Sequence, residues 1–147
     1  MSFRKHLAAV LAISMVAGAC ASARSEQRAA IDNTVIPAES LEYANLNPAI
    51  AMAHAFGDRG KGAHGSFGTF PANFATPFHT HIGAYRAVVI EGQMTNPFDG
   101  EDNPPVMSPG SYWSVAAGAT HATACVSDVP CKFFFWADGA FDFTPVK

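Results

Sequence analysis

The chain has 147 residues, of which 49% are hydrophobic and 14% are charged, and its formal net charge is −3. This balance indicates one compact domain with a well-buried core and excludes a disordered protein. No basic run follows the first few residues, which excludes a nucleic-acid-binding surface. No apolar stretch reaches the roughly 18 residues that a membrane-spanning helix needs.

The N-terminus has the layout of a secretory signal peptide over residues 1–23. Arg4 and Lys5 form a basic start, and an apolar run at 7–16 leads into small residues that match a small-x-small cleavage pattern. The small residues directly before Cys20 also resemble a bacterial lipoprotein signal, in which Cys20 would carry a lipid anchor. Both alternatives predict an exported protein that is periplasmic, secreted or held at a membrane by lipid.

The rest of the chain divides into an arm and a strand-rich domain. Residues 24–48 are mixed and polar and are predicted to form an N-terminal arm, and residues 49–147 are predicted to form the domain. The 12 Phe, 12 Gly and 10 Pro residues favour short strands joined by tight turns. Strand-like runs lie at 64–70, 74–82, 85–91, 111–116, 120–126, 131–137 and 140–146, after an apolar run at 49–56. No segment has the periodicity of a three-turn amphipathic helix, so the prediction is an all-β sandwich or barrel.

Two cysteines, Cys125 and Cys131, flank a turn-like stretch between two of these runs. Paired positions of an antiparallel hairpin lie within disulfide range, and an exported protein meets oxidising conditions. We therefore predict a disulfide between them, with two buried free thiols as the alternative.

The segment 133–136 is apolar on both faces of its predicted strand. A strand inside a barrel buries only one face against the barrel interior. The other face must be covered by something else, either the N-terminal arm or the second subunit of a homodimer.

Three histidines have the spacing of metal ligands. His79 and His81 are two residues apart, so on a strand both rings lie on the same face and can reach one ion at roughly 2.0–2.1 Å. His121 follows downstream, at the start of another strand-like run. His54 and His64 lie near a Gly-rich loop and are predicted to be surface residues.

The sequence around these histidines resembles the two motifs of the cupin family. The first motif corresponds to His79-Thr80-His81, three residues, Tyr85, six residues and Gly92. The second corresponds to Gly110, five residues, Ala116-Ala117-Gly118, two residues and His121. The resemblance implies a cupin-type jelly-roll β-barrel in which the motif histidines converge on one ion.

The resemblance implies a set of metal ligands in this chain, which differs from the family pattern at one ligand position. It implies that His79, His81 and His121 bind one divalent ion, which could be Fe, Zn, Mn, Ni or Cu. Tyr85 stands where a cupin usually has a ligating Glu, and we assign it a role beside the ligands or as a fourth ligand. The candidate pocket walls are Phe74, Phe78 and Trp113, for which core packing is the simpler alternative.

These features lead to two hypotheses about function. In the first, the ion and a small organic molecule meet inside the barrel, as in a metal-dependent dioxygenase-like or isomerase-like enzyme. In the second, the protein is a non-catalytic binding or sensing module, because the chain also resembles the ChrR-like bacterial cupins of unknown function. A purely structural exported domain is a third alternative, and the absence of bound metal would favour it.

Overall fold

A computed structural model describes residues 33–147 of the chain. The predicted signal peptide and Cys20 lie outside these residues and stay predictions. The described part contains strands, one short 3₁₀ helix at Ala38–Ser40 and no α-helix. The strands are β1 (Tyr43–Asn45), β2 (Ala51–Gly57), β3 (His64–Phe70), β4 (His79–Thr80), β5 (Tyr85–Glu91), β6 (Met94–Thr95), β7 (Tyr112–Val115), β8 (Ala124–Cys125), β9 (Cys131–Ala137) and β10 (Thr144–Pro145). No helix in this part of the chain is long and apolar enough to span a membrane.

One antiparallel sheet of six strands, in the order β1-β2-β3-β9-β5-β7, forms the regular side of the structure. The other side is built from short pairs, β4 with β10 and β6 with β8. Isolated bridges between His79 and His121 and between Ala75 and Ala124 join the segments around β4 and β8. These bridges matter for function because they bring two distant parts of the sequence side by side.

The core lies on the inner face of the six-stranded sheet. Along β9 the residues alternate, so that Phe133 and Phe135 are buried whereas Phe134 and Trp136 are only half-buried on the opposite face. On that outer face the Phe134 ring packs 5.0 Å from Phe67 of β3. The run that is apolar on both faces is therefore partly covered by neighbouring aromatic rings of its own sheet, and a dimer stays a prediction.

Several predicted strands are shorter in the structure, for identifiable reasons. The run at 74–82 is strand only at His79–Thr80, because Pro77 has no backbone N–H to donate to a ladder. Strand β1 lies within the predicted arm, and it pairs with β2 although all its residues are exposed. The sheet therefore begins before residue 49, the predicted domain boundary, because backbone pairing holds β1 without an apolar pattern that the sequence could show.

The two cysteines join β8 to the start of β9. Cys125 and Cys131 form a disulfide with a Cα–Cα distance of 5.7 Å, and both are almost completely buried. The bond ties the short β6–β8 pair to the central strand of the large sheet, because β9 lies between β3 and β5.

The glycines that carry the motif resemblance occupy special backbone positions. Gly92, Gly110 and Gly118 all have positive φ, at 78°, 90° and 74°. A residue with a Cβ is strained in this region, so the turns that precede and follow the motif strands require glycine. At Gly92 a Cβ would also lie 2.7 Å from the Cys131 sulfur, whereas at Gly110 it would meet nothing within 4 Å.

The paired substitutions Gly92→Ala and Gly110→Ala separate backbone strain from crowding. Gly110→Ala should lower the free energy of unfolding by about 1–2 kcal/mol through strain alone. Gly92→Ala should cost a further 1–3 kcal/mol or so, because the new methyl group overpacks the disulfide. Urea unfolding followed by circular dichroism measures both, and equal losses would contradict the packing at Gly92.

Candidate metal centre

Three buried histidines meet where the segments around β4 and β8 are joined. His79 starts β4 and His81 follows it, while His121 exchanges two backbone hydrogen bonds with His79, at 2.8 and 3.0 Å. One ring nitrogen from each histidine lies within 4.8 Å of the other two. The side chains are 3%, 4% and 0% exposed. The structure therefore brings together all three ligands that the sequence resemblance implied.

Backbone carbonyls set the orientation of all three rings. The Nδ1–H of His79 donates to the Pro77 carbonyl at 2.8 Å, and the Nδ1–H of His121 donates to the Ala119 carbonyl at 3.1 Å. His81 Nδ1 donates in the same way to the Asp142 carbonyl. A neutral imidazole has one N–H, so each ring is left with an unprotonated Nε2. This is the arrangement by which proteins hold histidine ligands for a metal ion.

The Nε2 atoms of His79 and His81 face each other at 3.1 Å. Since both Nδ1 atoms donate to carbonyls, both facing atoms are lone-pair acceptors, and they repel each other unless a cation lies between them. Two nitrogens bound to one ion at 2.0–2.1 Å are separated by about 2.9–3.4 Å. The observed separation therefore fits a shared divalent ion, and the three residues have the chemistry to hold one.

A proton does not readily take the place of a metal ion between these rings, because the imidazoles resist protonation. Burial lowers the pKa of His81 and of His121 to about 4, and it also lowers the pKa of His79. The cause is desolvation, since removing an imidazolium from water disfavours its charged form. At neutral pH the rings are uncharged, as metal binding requires.

Tyr85 lies beside the histidines at the position where the cupin pattern has Glu. Its hydroxyl donates to His121 Nε2 at 3.1 Å and accepts from the Trp113 indole N–H at 3.2 Å. Asn96 Oδ1 is a second acceptor for the hydroxyl at 3.5 Å, and it is itself held by the Thr123 hydroxyl at 2.7 Å. Burial raises the pKa of Tyr85 to about 12, so the group keeps its proton at neutral pH.

The C-terminal segment packs over the histidines. The Phe141 ring stacks on His81 at 4.0 Å, and the Phe143 ring stacks on His79 at 4.2 Å. Between them, the Asp142 carboxylate accepts hydrogen bonds from the Ile82 N–H at 2.6 Å and from a threonine hydroxyl of β10 at 3.1 Å. The segment therefore both orients His81 and shields the centre from water.

A cavity of about 570 Å³ opens next to the centre. His79, His81 and Tyr85 border it, whereas His121 has no exposed surface. The other walls are mostly aromatic and aliphatic side chains, among them Ile50, Met52, Phe70, Phe74, Phe133, Phe135, Phe141 and Phe143. A small organic molecule in this cavity would lie against two of the histidines and against Tyr85.

The aromatic residues predicted as pocket walls have three different positions. Phe74 lines the cavity. Phe78 is 40% exposed and does not line it, because adjacent residues of an extended backbone point in opposite directions and His79 points inward. Trp113 is buried behind Tyr85 and acts there through its N–H.

The other two histidines differ from each other. His54 is exposed, as predicted. His64 is 1% exposed, so its prediction as a surface residue is wrong. It begins β3 with its ring packed against Phe135 and Phe141, and its Nδ1 donates to the Gly62 carbonyl at 2.9 Å. The adjacent glycines made the residue resemble a loop position in the sequence.

Sequence reasoning missed the residues that support the centre from outside the two motifs. Asp142, Phe141 and Phe143 come from a run predicted only as a strand, and Asn96 and Thr123 were not singled out. The alternation Phe-Asp-Phe at 141–143 could have indicated a segment that covers the site, since in an extended chain it places two rings on one face.

Solved structures with the same fold support the assignment of the architecture. The polyketide cyclase RemF from Streptomyces resistomycificus is 15% identical, with a TM-score of 0.67, over 79% of this chain and 87% of that one. An RmlC-like cupin from Shewanella frigidimarina is 15% identical, with a TM-score of 0.62, over 74% and 93% of the two chains. A cupin-2 domain protein from Rhodospirillum rubrum is 8% identical, with a TM-score of 0.63, over 79% and 82%. The predicted all-β jelly-roll fold is therefore confirmed.

The sequence comparisons assign the chain to a family. No curated protein matches the chain. Residues 38–147 match the family described as "Domain of unknown function (DUF4437)". This range includes all three histidines of the candidate centre and Tyr85. The chain is thus a cupin-fold protein that belongs to the DUF4437 family.

Proposed function

We propose that His79, His81 and His121 hold one divalent metal ion and that the adjacent cavity binds a small organic molecule against it. The observation that carries the proposal is the pair of facing Nε2 lone pairs 3.1 Å apart in a buried site. Neither imidazole is easily protonated there, so a metal ion is the cation that best relieves the repulsion. Ligands of this type suit Fe, Zn, Mn, Ni or Cu.

The ion, when bound, supplies a Lewis acid at the cavity floor. Three neutral imidazoles leave its charge uncompensated, which favours an oxygen-bearing or anionic group on the bound molecule. Tyr85 is the proton-bearing group at this position, because the residue lines the cavity and its hydroxyl keeps its proton at neutral pH. With His121 Nε2 occupied by the ion, the hydroxyl can donate its one proton to an oxygen of the bound molecule instead of to Asn96 Oδ1, while the Trp113 N–H still donates to the hydroxyl oxygen.

Two functions use this arrangement. In a dioxygenase-like or isomerase-like enzyme, Tyr85 would position or protonate the reacting oxygen; in a sensor, it would only orient the ligand. Support for an enzyme comes from the cavity, which is lined by His79, His81 and Tyr85. Oxygen uptake by iron-loaded protein with diketones, thiols and phenols separates a dioxygenase from a sensor, and analysis of the same mixtures for isomerised product separates an isomerase from a sensor, with His81→Ala as the blank in both. We also propose that the protein is exported, as the N-terminal pattern indicates, and N-terminal sequencing of protein from its native cells tests this.

Metal binding is tested by removing one ligand. The native protein should bind about one equivalent of Zn²⁺ or Fe²⁺, and His81→Ala should bind it more than about 100-fold more weakly, since even supporting residues change affinity by 10–100-fold. Elemental analysis gives the stoichiometry, and competition with a chelator gives the affinity.

The matched control is His54→Ala, which removes an exposed histidine of β2 that lies outside the candidate centre. It should leave the affinity unchanged. Circular dichroism spectra show whether the His81→Ala protein is folded. Native protein without stoichiometric metal, or a folded His81→Ala protein with undiminished affinity, would contradict the proposal.

The affinity for metal should persist at acidic pH. Three histidines with the ordinary pKa of about 6.5 would lose roughly a thousandfold in affinity at pH 5.5, since protons would occupy about nine-tenths of each ring. Here the pKa values of His81 and His121 are lowered to about 4, so their Nε2 atoms stay unprotonated. We expect a loss below about tenfold between pH 7.5 and 5.5.

Chelator competition at the two pH values measures this loss, with a short histidine-rich peptide as the exposed control. A thousandfold loss in both would show that the imidazoles titrate as they do in water.

A further inference from the structure

The loop between β2 and β3 places an arginine at the edge of the metal cavity. Arg59 lines the cavity, together with the apolar side chains of its walls. The loop is held by its own hydrogen bonds, since the Asp58 carbonyl accepts from the N–H groups of Lys61 and Gly62, both at 3.0 Å. The Asp58 carboxylate accepts from the Gly60 N–H at 2.9 Å. The backbone around Arg59 therefore has a defined turn.

A backbone hydrogen bond connects Arg59 to the metal centre. The Phe141 N–H donates to the Arg59 carbonyl at 2.9 Å, and the Phe141 ring stacks on His81. The arginine is thus attached to the segment that shields the histidines.

Arg59 has no acidic partner among residues 33–147. The nearby Lys61 is paired with Asp58 at 2.9 Å, and the other two ion pairs of this region involve Arg86 and Lys132. Asp142 is the other charged residue that lines the cavity, and its carboxylate is engaged by a backbone N–H and a hydroxyl. The guanidinium is a cation left free to bind an anion.

We infer that the cavity takes an amphipathic anion, with its apolar body against the aromatic walls and its acidic group at Arg59. Guanidinium groups bind carboxylates and sulfonates through paired, charge-assisted hydrogen bonds. The inference deepens the proposed function, since it names the ligand class of the same cavity. The contact at Arg59 does not itself require the ion, so it can be tested without metal.

A comparison of two fluorescent probes measures how much the anionic group contributes to binding. Anilinonaphthalene sulfonate carries an anionic group on a flat apolar body, and phenylnaphthylamine is the same body without the sulfonate. Fluorescence titration of metal-free protein should show tighter binding of the sulfonate. Arg59→Ala should weaken the binding of the sulfonate probe by about fivefold to tenfold, as expected for the loss of a partly solvated charged hydrogen bond. The affinity for the neutral probe should stay within about twofold of the native value. Arg59→Lys should retain part of the preference.

The control is Arg86→Ala, which removes the same charge from an exposed arginine that does not line the cavity. It should leave the binding of both probes unchanged. Equal affinity of the native protein for the two probes, or equal effects of Arg59→Ala and Arg86→Ala, would overturn the inference.

Titration with Zn²⁺ keeps this result separate from the proposed function. Arg59→Ala should bind Zn²⁺ as the native protein does, because the hydrogen bonds that orient the three histidine rings all go to other residues. Loss of the sulfonate preference with normal Zn²⁺ binding supports the inference. A native protein that binds the sulfonate through Arg59 but binds no Zn²⁺ would refute only the metal site.

Discussion

The candidate centre depends on three hydrogen bonds from imidazole to backbone. The carbonyls of Pro77, Ala119 and Asp142 each accept one Nδ1–H, and this leaves three Nε2 lone pairs directed into one buried space. The backbone around these carbonyls is itself fixed by the bridge between His79 and His121 and by the pairing of β4 with β10. The strand pairing of the irregular side therefore sets the tautomer of the rings, and this tautomer leaves three Nε2 atoms that could hold a metal ion.

The chemistry around the centre follows from the replacement of a carboxylate by Tyr85. A carboxylate would offset part of the charge of a divalent ion, whereas a buried phenol with its pKa raised to about 12 stays neutral. The cavity walls are mostly apolar, and the one cation without an acidic partner among the described lining residues is Arg59. Arg59 and the apolar walls, together with the proposed ion, favour a molecule that is apolar over most of its surface and carries an acidic group.

The motif histidines could be predicted from the sequence because their spacing has a physical meaning. Alternate residues of a strand share a face, which applies to His79 and His81 whatever surrounds them. The supporting residues have no such signature. Asp142 holds His81 through its backbone carbonyl, which any residue type could supply, so its identity carries no information about this contact. His64 was misjudged for a related reason, since glycines also occur within buried strands where a neighbouring ring needs the space, as at Gly65 and Gly68 of β3.

By itself, the sequence determined the strand-rich class, the ligand spacing and the glycines of the turns, because each depends on local geometry within a few residues. The meeting of His121 with the other two histidines was implied by the motif resemblance, but only the tertiary structure shows their geometry. Only the tertiary structure decided that Phe141 and Phe143 cover them and that Arg59 lies at the cavity edge. These contacts join segments far apart in the chain. They depend on how the short strands pair across the barrel, and that pairing is set by the packing of the whole core.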